Sequence, residues 1–141
     1  MTPLDLPGSS GLLAGLSLAT SGVELLAALL ESVCLGLVDG YQALASGLGH
    51  EPRVLATGGA LLASGWWRQR LADALGRPVE LLDAKELSAE GAAVAALGRT
   101  AGPQHAGTVE PDPAATEALA AARAKRDELM ARLGWVGPPG R

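Results

Sequence analysis

The sequence predicts an α/β domain, and three observations carry that prediction. Residues 53–80, RVLATGGALLASGWWRQRLADALGRPVE, run strand, glycine turn, helix and strand with almost no spare residues. The stretch before them repeats apolar residues at three- and four-residue steps, which is the helix period. The core must be built from Leu, Ala and Val, because 48% of the chain is hydrophobic while only 3% is aromatic and Phe is absent. Length agrees with this: 141 residues suit one domain, which buries about 68% of its unfolded surface when complete.

Taken in order, residues 1–10 hold Pro3, Pro7, Gly8, Ser9 and Ser10 and read as a flexible lead. Residues 11–98 form the main α/β portion. Within it, Leu26, Leu30, Val33, Leu37, Tyr41 and Leu44 recur at helical steps while Glu24, Glu31, Asp39 and Gln42 share another face. One long amphipathic helix from Ser21 to about Leu48 is expected, closed by Gly47, Gly49 and Pro52. Arg53 to Thr57 is a short apolar run that suits a buried strand. Gly58 and Gly59 halt it, since glycine lets the backbone turn through positive φ and lets a ligand approach the main chain without meeting a Cβ. The chain then enters a helix carrying Trp66, Trp67, Leu71, Ala74 and Leu75, stopped by Gly76 and Pro78, and a second strand runs from Val79 to Leu82.

Residues 88–97 read as a helix of small residues, with Gly91, Ala92, Ala93, Ala95 and Ala96 allowing close approach of another helix. Residues 99–111 read as a Gly/Pro loop. Asp112 suits an N-cap, with Pro113 at the first helical position, Glu117 in the first turn and Gly134 as the stop, so the last helix occupies residues 112–134. Its Arg123 and Asp127 are spaced as an ordinary surface pair, and residues 135–141 form a tail.

Several function classes are excluded on composition. The net charge is −4, and the nine Arg and two Lys are scattered and form no stripe, so DNA or RNA is excluded as the primary ligand. The most apolar span, Leu12 to Val38, is interrupted by Ser17, Thr20, Ser21, Glu24 and Glu31, and the start lacks a basic n-region. No membrane or targeting segment is expected, and the cytoplasm is the natural compartment. Cys34 is the single cysteine and reads as a buried, inert thiol. His50 and His105 lie in separate loops without ligand spacing, so a metal site is not expected; Walker-type phosphate loops and Gly-x-Ser-x-Gly elbows are absent from the sequence.

The opening of a loop at a strand's carboxyl end marks a ligand site in open α/β sheets, and here the residues resemble a known one. Thr57-Gly58-Gly59, then Ser64, Trp67-Arg68-Gln69, Ala72-Asp73 and Leu75-Gly76-Arg77-Pro78-Val79 resemble the adenosine-binding segment of FGGY-family carbohydrate kinases, with gluconate- and xylulose-type members nearest. Gly11 to Leu18 is similar to that family's GLT-type strand and Leu26 to Leu44 to its long helix. Ser88 to Ala93 resembles its second connecting segment, a hinge between lobes, and Glu110-Pro111-Asp112-Pro113 its lead into the last helix. Many members have a third glycine followed by Ala-Arg-Ser. This chain has Ala60-Leu61-Leu62-Ala63-Ser64, one residue longer between the second glycine and the serine.

The resemblance implies part of a ribonuclease-H-like, actin-type ATPase fold and ATP as the bound nucleotide. By resemblance Gly58 and Gly59 lie against the adenosine, and Ser64 takes the polar position near the base. No catalytic residue and no Mg²⁺ ligand is assigned. Asp73 is the carboxylate most easily mistaken for a catalyst, yet its place two turns into a helix suits a packing or capping partner. Family members keep the sugar site, the catalytic aspartate and the first phosphate loop in an N-terminal lobe, and nothing of that kind precedes Gly8. The expectation is therefore the ATP-side portion of a carbohydrate kinase, inactive by itself, with gluconate the first substrate and xylulose the second. Phosphoryl transfer in an intact relative would use Mg²⁺. The alternative is a truncated or split-gene product without catalysis that serves as a nucleotide-binding or association module, either with a separately encoded N-terminal lobe or as a homo-oligomer.

Overall fold

A computed structural model describes residues 12–83, 87–98 and 104–134. The order is α1 (Gly22–Leu48), β1 (Val54–Ala56), α2 (Gly59–Ala63), α3 (Gly65–Leu75), β2 (Val79–Asp83), α4 (Leu87–Leu97), β3 (Gln104–Val109) and α5 (Pro113–Arg132). The lead expected at 1–10 and the tail expected at 135–141 lie outside the described residues.

The three strands form one sheet in the order β1-β2-β3. β1 and β2 are parallel, with Val54 opposite Val79 and Ala56 opposite Leu81. Parallel neighbours need a crossover, and α2 with α3 supplies it. β3 returns antiparallel to β2, placing Val109 opposite Val79 and Gly107 opposite Leu81. This corrects the Gly/Pro loop expected over 99–111 at Gln104–Val109; its part at 99–103 lies outside the described residues. Gln104 to Val109 has no apolar alternation to announce a strand; it becomes one because β2 offers a free edge. A shift of register between Leu81 and Leu82 accommodates one extra residue on β3, next to Gly107 at φ +140°.

Alternation along the strands puts Val54, Ala56, Val79, Leu81 and Val109 on one face. There they meet Leu71 and Ala72 of α3 and Cys34 of α1 in the core cluster. Val79, Ala72 and Cys34 are fully buried. Burying a Val or Leu side chain contributes about 1.5–3 kcal/mol each, so the β2–α3 contact is the centre of stability. The opposite face carries Leu55, 53% exposed, and Glu80, which pairs with Arg53 through Arg53 Nε to Glu80 Oε1 at 2.8 Å.

α1 begins on a capping box. Ser21 Oγ accepts from Glu24 N–H at 3.2 Å while the Glu24 carboxylate accepts from Ser21 N–H at 2.7 Å, and Gly49 closes the helix in the left-handed region. Its packing differs from the expected amphipathic face. Leu26, Val33, Leu37 and Leu44 are 49–57% exposed, and the buried residues are Cys34, Leu35 and Val38. The helix is apolar on two sides, and α3 packs on the one where the small Cys34 allows Ala72 to come close. The acidic face is also used internally: Glu31 pairs with Arg70 at 3.2 Å, and Asp39 pairs with Arg123 at 2.7 Å and with Arg126 at 2.9 Å.

α5 starts as expected at Asp112, whose carboxylate accepts from Ala114 and Ala115 N–H, with Pro113 in the first turn and Gly134 at φ +69° after the end. Two details are corrected. Glu117 falls beyond the first turn, which holds no acidic residue. Arg123 turns to Asp39 and Gln42 of α1, while Asp127 pairs with Arg126, because a tertiary carboxylate outcompetes an intrahelical one. Gly76 caps α3 at φ +64°, and a Cβ there would lie 3.2 Å from Thr116 of α5, so two constraints meet at this glycine. The strand expected over Gly11–Leu18 is not formed across 12–18, where Leu12, Leu13, Leu16 and Leu18 are exposed. A strand is stable only when paired, and no neighbour among the described residues pairs with this one.

Candidate functional site

β1 ends at Ala56, and Thr57 carries the chain to Gly58 at φ +110°, a conformation closed to most L-residues. Gly58 caps the short helix α2, and Leu62 N–H donates to its carbonyl at 2.9 Å. A Cβ on Gly58 or Gly59 would meet no atom within 4 Å, so the backbone here is bare toward solvent. The turn therefore sits at the carboxyl end of β1, as the sequence predicts, with open space at both Cβ positions.

Ser64 stands at the other end of α2, about 7 Å along the helix at 1.5 Å per residue. It closes α2 and caps α3, its Oγ accepting from Trp67 N–H at 3.2 Å. Among the described residues the hydroxyl proton has no acceptor. Arg68 folds back and donates to the Leu62 carbonyl, which pins α2 against α3. The structure thus places Gly58 and Gly59 side by side, with Ser64 one short helix away.

Asp73 is buried on α3, 2% exposed, with its Oδ1 accepting from Gln69 Nε2 at 2.8 Å and from Asp112 N–H at 2.8 Å. Gln69 also donates to the Glu110 carbonyl at 2.8 Å. These bonds tie α3 to the start of α5, which is the structural role read from the sequence. A cavity of about 550 Å³ lies beside this tether, lined in part by Trp66, Arg70, Asp73 and Asp112. Gly58, Gly59 and Ser64 do not line it. Sequence reasoning did not single it out, since its walls join α3 to α5 from forty residues apart.

Electrostatics add little chemistry. Burial pushes the Cys34 thiol up, and the buried Trp67 indole N–H has no hydrogen-bond partner among the described residues. Backbone and hydroxyl donors of Ser21 hold Glu24 below the usual carboxylate range. The Arg53 guanidinium does the same for Glu80. Among the described residues no three His, Cys, Asp or Glu side chains gather as metal ligands, and no helix is long and apolar enough to cross a membrane.

Residues 1–98 match the C-terminal domain of the FGGY family of carbohydrate kinases. The chain belongs to the FGGY family. Curated relatives of this FGGY chain include a glycerol kinase from Methylobacterium nodulans, 42% identical over 91 residues, which are 62% of this chain and 18% of the relative. Another is a glycerol kinase from Allorhizobium ampelinum, 39% identical over 66% of this chain and 19% of the relative. The FGGY chain thus spans about a fifth of the length of the curated relatives it matches.

Among solved structures, a xylulose kinase from Rhodospirillum rubrum superposes with TM-score 0.74 and 34% identity over 91% of this chain and 28% of that one. A gluconate kinase from Lactobacillus acidophilus superposes with TM-score 0.68 and 22% identity over 85% of this chain and 26% of that one, a likeness of fold. The α/β fold of the FGGY chain is accordingly a portion of the actin-type ATPase architecture of these kinases.

Proposed function

We propose that this chain is the nucleotide-side portion of an ATP-dependent carbohydrate kinase, with Gly58 and Gly59 bearing against adenosine and Ser64 offering its hydroxyl proton near the base. The observation that carries this reading is the bare turn at the end of β1: Gly58 at φ +110° and two Cβ positions opening on empty space. A flat, polar ligand can reach main-chain N–H and C=O groups there without steric cost. On this reading the glycine turn and Ser64 would hold the adenosine of ATP. The triphosphate chemistry that ATP supplies needs Mg²⁺ and a general base, and the described residues provide no cluster for the metal.

On this reading the chain binds nucleotide and performs no transfer alone. The acceptor is a sugar, sugar acid or polyol; gluconate is the first choice, followed by xylulose, and the glycerol kinases among the relatives add glycerol to the set to be tested. The sugar site and the rest of the catalytic apparatus belong to a separate N-terminal lobe, in a cytoplasmic setting.

The test is thermal unfolding of the purified chain with and without millimolar Mg-ATP. A ligand that binds only the folded state stabilises it by about 2.7 kcal/mol at one hundred times its dissociation constant. A concentration-dependent rise in Tm that Gly59→Leu abolishes supports the site. Gly59→Leu points into open space, so the free protein keeps its fold, and a Tm indifferent to ATP in the wild-type chain overturns the assignment. A second reading, an association module without nucleotide, draws on the exposed leucines of α1.

A further inference from the structure

Arg68, near the start of α3, is bonded to both ends of the segment that carries the glycine turn. Its backbone N–H donates to the Ser64 carbonyl at 3.1 Å. Its guanidinium Nη1 donates to the Leu62 carbonyl and, at 3.5 Å, to that of Leu61. The Leu62 N–H in turn donates to the Gly58 carbonyl at 2.9 Å. Two hydrogen bonds through one residue, Leu62, therefore connect the guanidinium to the glycine at φ +110°. The backbone bond is open to any residue at 68, whereas the guanidinium bond is not.

Little else holds α2. It has five residues, no side-chain cap at its start and no fully buried member, and a helix so short does not sustain itself. Leu61 and Leu62 pack partly against the core. The last carbonyls of a helix have no partner within it, and on α2 Arg68 takes two of them. α3 is the firm side of this contact, because its Leu71 and Ala72 belong to the core cluster. Arg70, two residues on, spends its charge on Glu31. The Arg68 guanidinium meets only carbonyls among the described residues, and such charge-assisted bonds are stronger than neutral ones.

We propose that Arg68 is a positioning residue of the adenosine site, whose side chain acts through Leu62 to hold Gly58 and Gly59 in the turn that accepts the nucleotide. The inference rests on the nucleotide reading above. Glycines lose the most backbone freedom on ordering, so a turn of two glycines released from its clamp spreads over many conformations. Affinity then falls in proportion to the fraction that remains competent. The guanidinium itself does not touch the ligand, so the loss is the same whether or not the ligand carries phosphates.

The experiment is titration calorimetry of the full 141-residue chain with Mg-ATP and, separately, with adenosine. Wild type, Arg68→Gln and Arg68→Lys are compared at a temperature where circular dichroism shows each folded; Arg68 is not a member of the core cluster. Arg68→Gln should bind ATP and adenosine each about tenfold more weakly. Arg68→Lys, a compact ammonium without the planar fork, should fall between the two. The Leu62 amide should exchange faster in Arg68→Gln than in wild type.

Wild-type affinity for both ligands in Arg68→Gln overturns the proposal and leaves the nucleotide site standing. A loss for ATP without one for adenosine also overturns it, since the guanidinium would then meet the phosphates directly. Unchanged exchange at Leu62 overturns it by removing the clamp. A wild-type chain that binds neither ligand sinks the nucleotide reading and this proposal with it. If Arg68→Gln does not fold, Arg68→Lys is read in its place: equal weakening toward both ligands supports the proposal, and wild-type affinity overturns it.

Discussion

Asp73 of α3 accepts the backbone N–H of Asp112 at 2.8 Å, and Asp112 in turn caps α5 by accepting from Ala114 and Ala115. One buried carboxylate thereby positions the residue that starts another helix. Removing it strands the Asp112 N–H and one hydrogen of the Gln69 amide, whose other bond to the Glu110 carbonyl remains. Asp73→Ala should cost about 2–3 kcal/mol, read as a lowered midpoint in urea unfolding. Asp73→Asn keeps an oxygen acceptor and should cost clearly less. Equal losses would mean that volume, not hydrogen bonding, matters at this position.

The paired glycines should respond in opposite directions. Gly58 sits at φ +110°, so Gly58→Ala should destabilise by about 1–2 kcal/mol. Gly59 is the first residue of α2 with open space at its Cβ. Gly59→Ala should be neutral or stabilising by up to about 1 kcal/mol. Thermal melts of the two variants check the pair.

Acid should weaken the start of α1. Glu24 has its pKa lowered in the folded state, first by the Ser21 backbone donor. A depressed carboxylate contributes stability that is present above its unfolded pKa and is lost as pH falls through the folded one. The Arg53–Glu80 pair shifts Glu80 in the same direction, so both contributions fade below the ordinary carboxylate range, under about pH 4.5. In Glu24→Gln, where the amide still reaches back to the cap, the acid-dependent loss of α1 protection in hydrogen exchange should shrink.

Asp39 joins α1 to α5 through Arg123 and Arg126. The pair is about a third exposed, with Asp39 at 37% and Arg126 at 29% of side-chain surface, which keeps its value small. A double-mutant cycle of Asp39→Asn with Arg126→Gln should return a coupling of about 0.5–1 kcal/mol that falls as salt is raised. A coupling unchanged by salt would point to packing.

Cys34 is fully buried and its thiol is pushed up by burial. A thiol-reactive disulfide reagent should leave the native chain untouched at neutral pH and label it only as fast as the α1–α3 contact opens. Immediate labelling would place Cys34 outside the core.

Local signals were legible where the chemistry is local. Asp112-Pro113 announced α5, Gly76 the end of α3, and Gly58-Gly59 the turn after β1, because caps and positive φ depend on a few adjacent residues. Ser21-x-x-Glu24 is an equally local signal, a capping box at the start of α1. The face of α1 was not legible: Leu26, Leu37 and Cys34 all fall within an apolar pattern, and only the approach of Ala72 selects Cys34. β3 was missed because Gln104–Val109 has the composition of a loop.

The sequence by itself determined the helix and strand types around 53–80, the caps and the family. Tertiary structure alone decided which side of α1 is buried, that Gln104–Val109 pairs with β2, and that Arg123 reaches Asp39 and not Asp127. Caps and turns are set by backbone stereochemistry within a few residues. The choice among competing apolar faces and charged partners is set by contacts between segments distant in the chain, whose energies no local pattern contains.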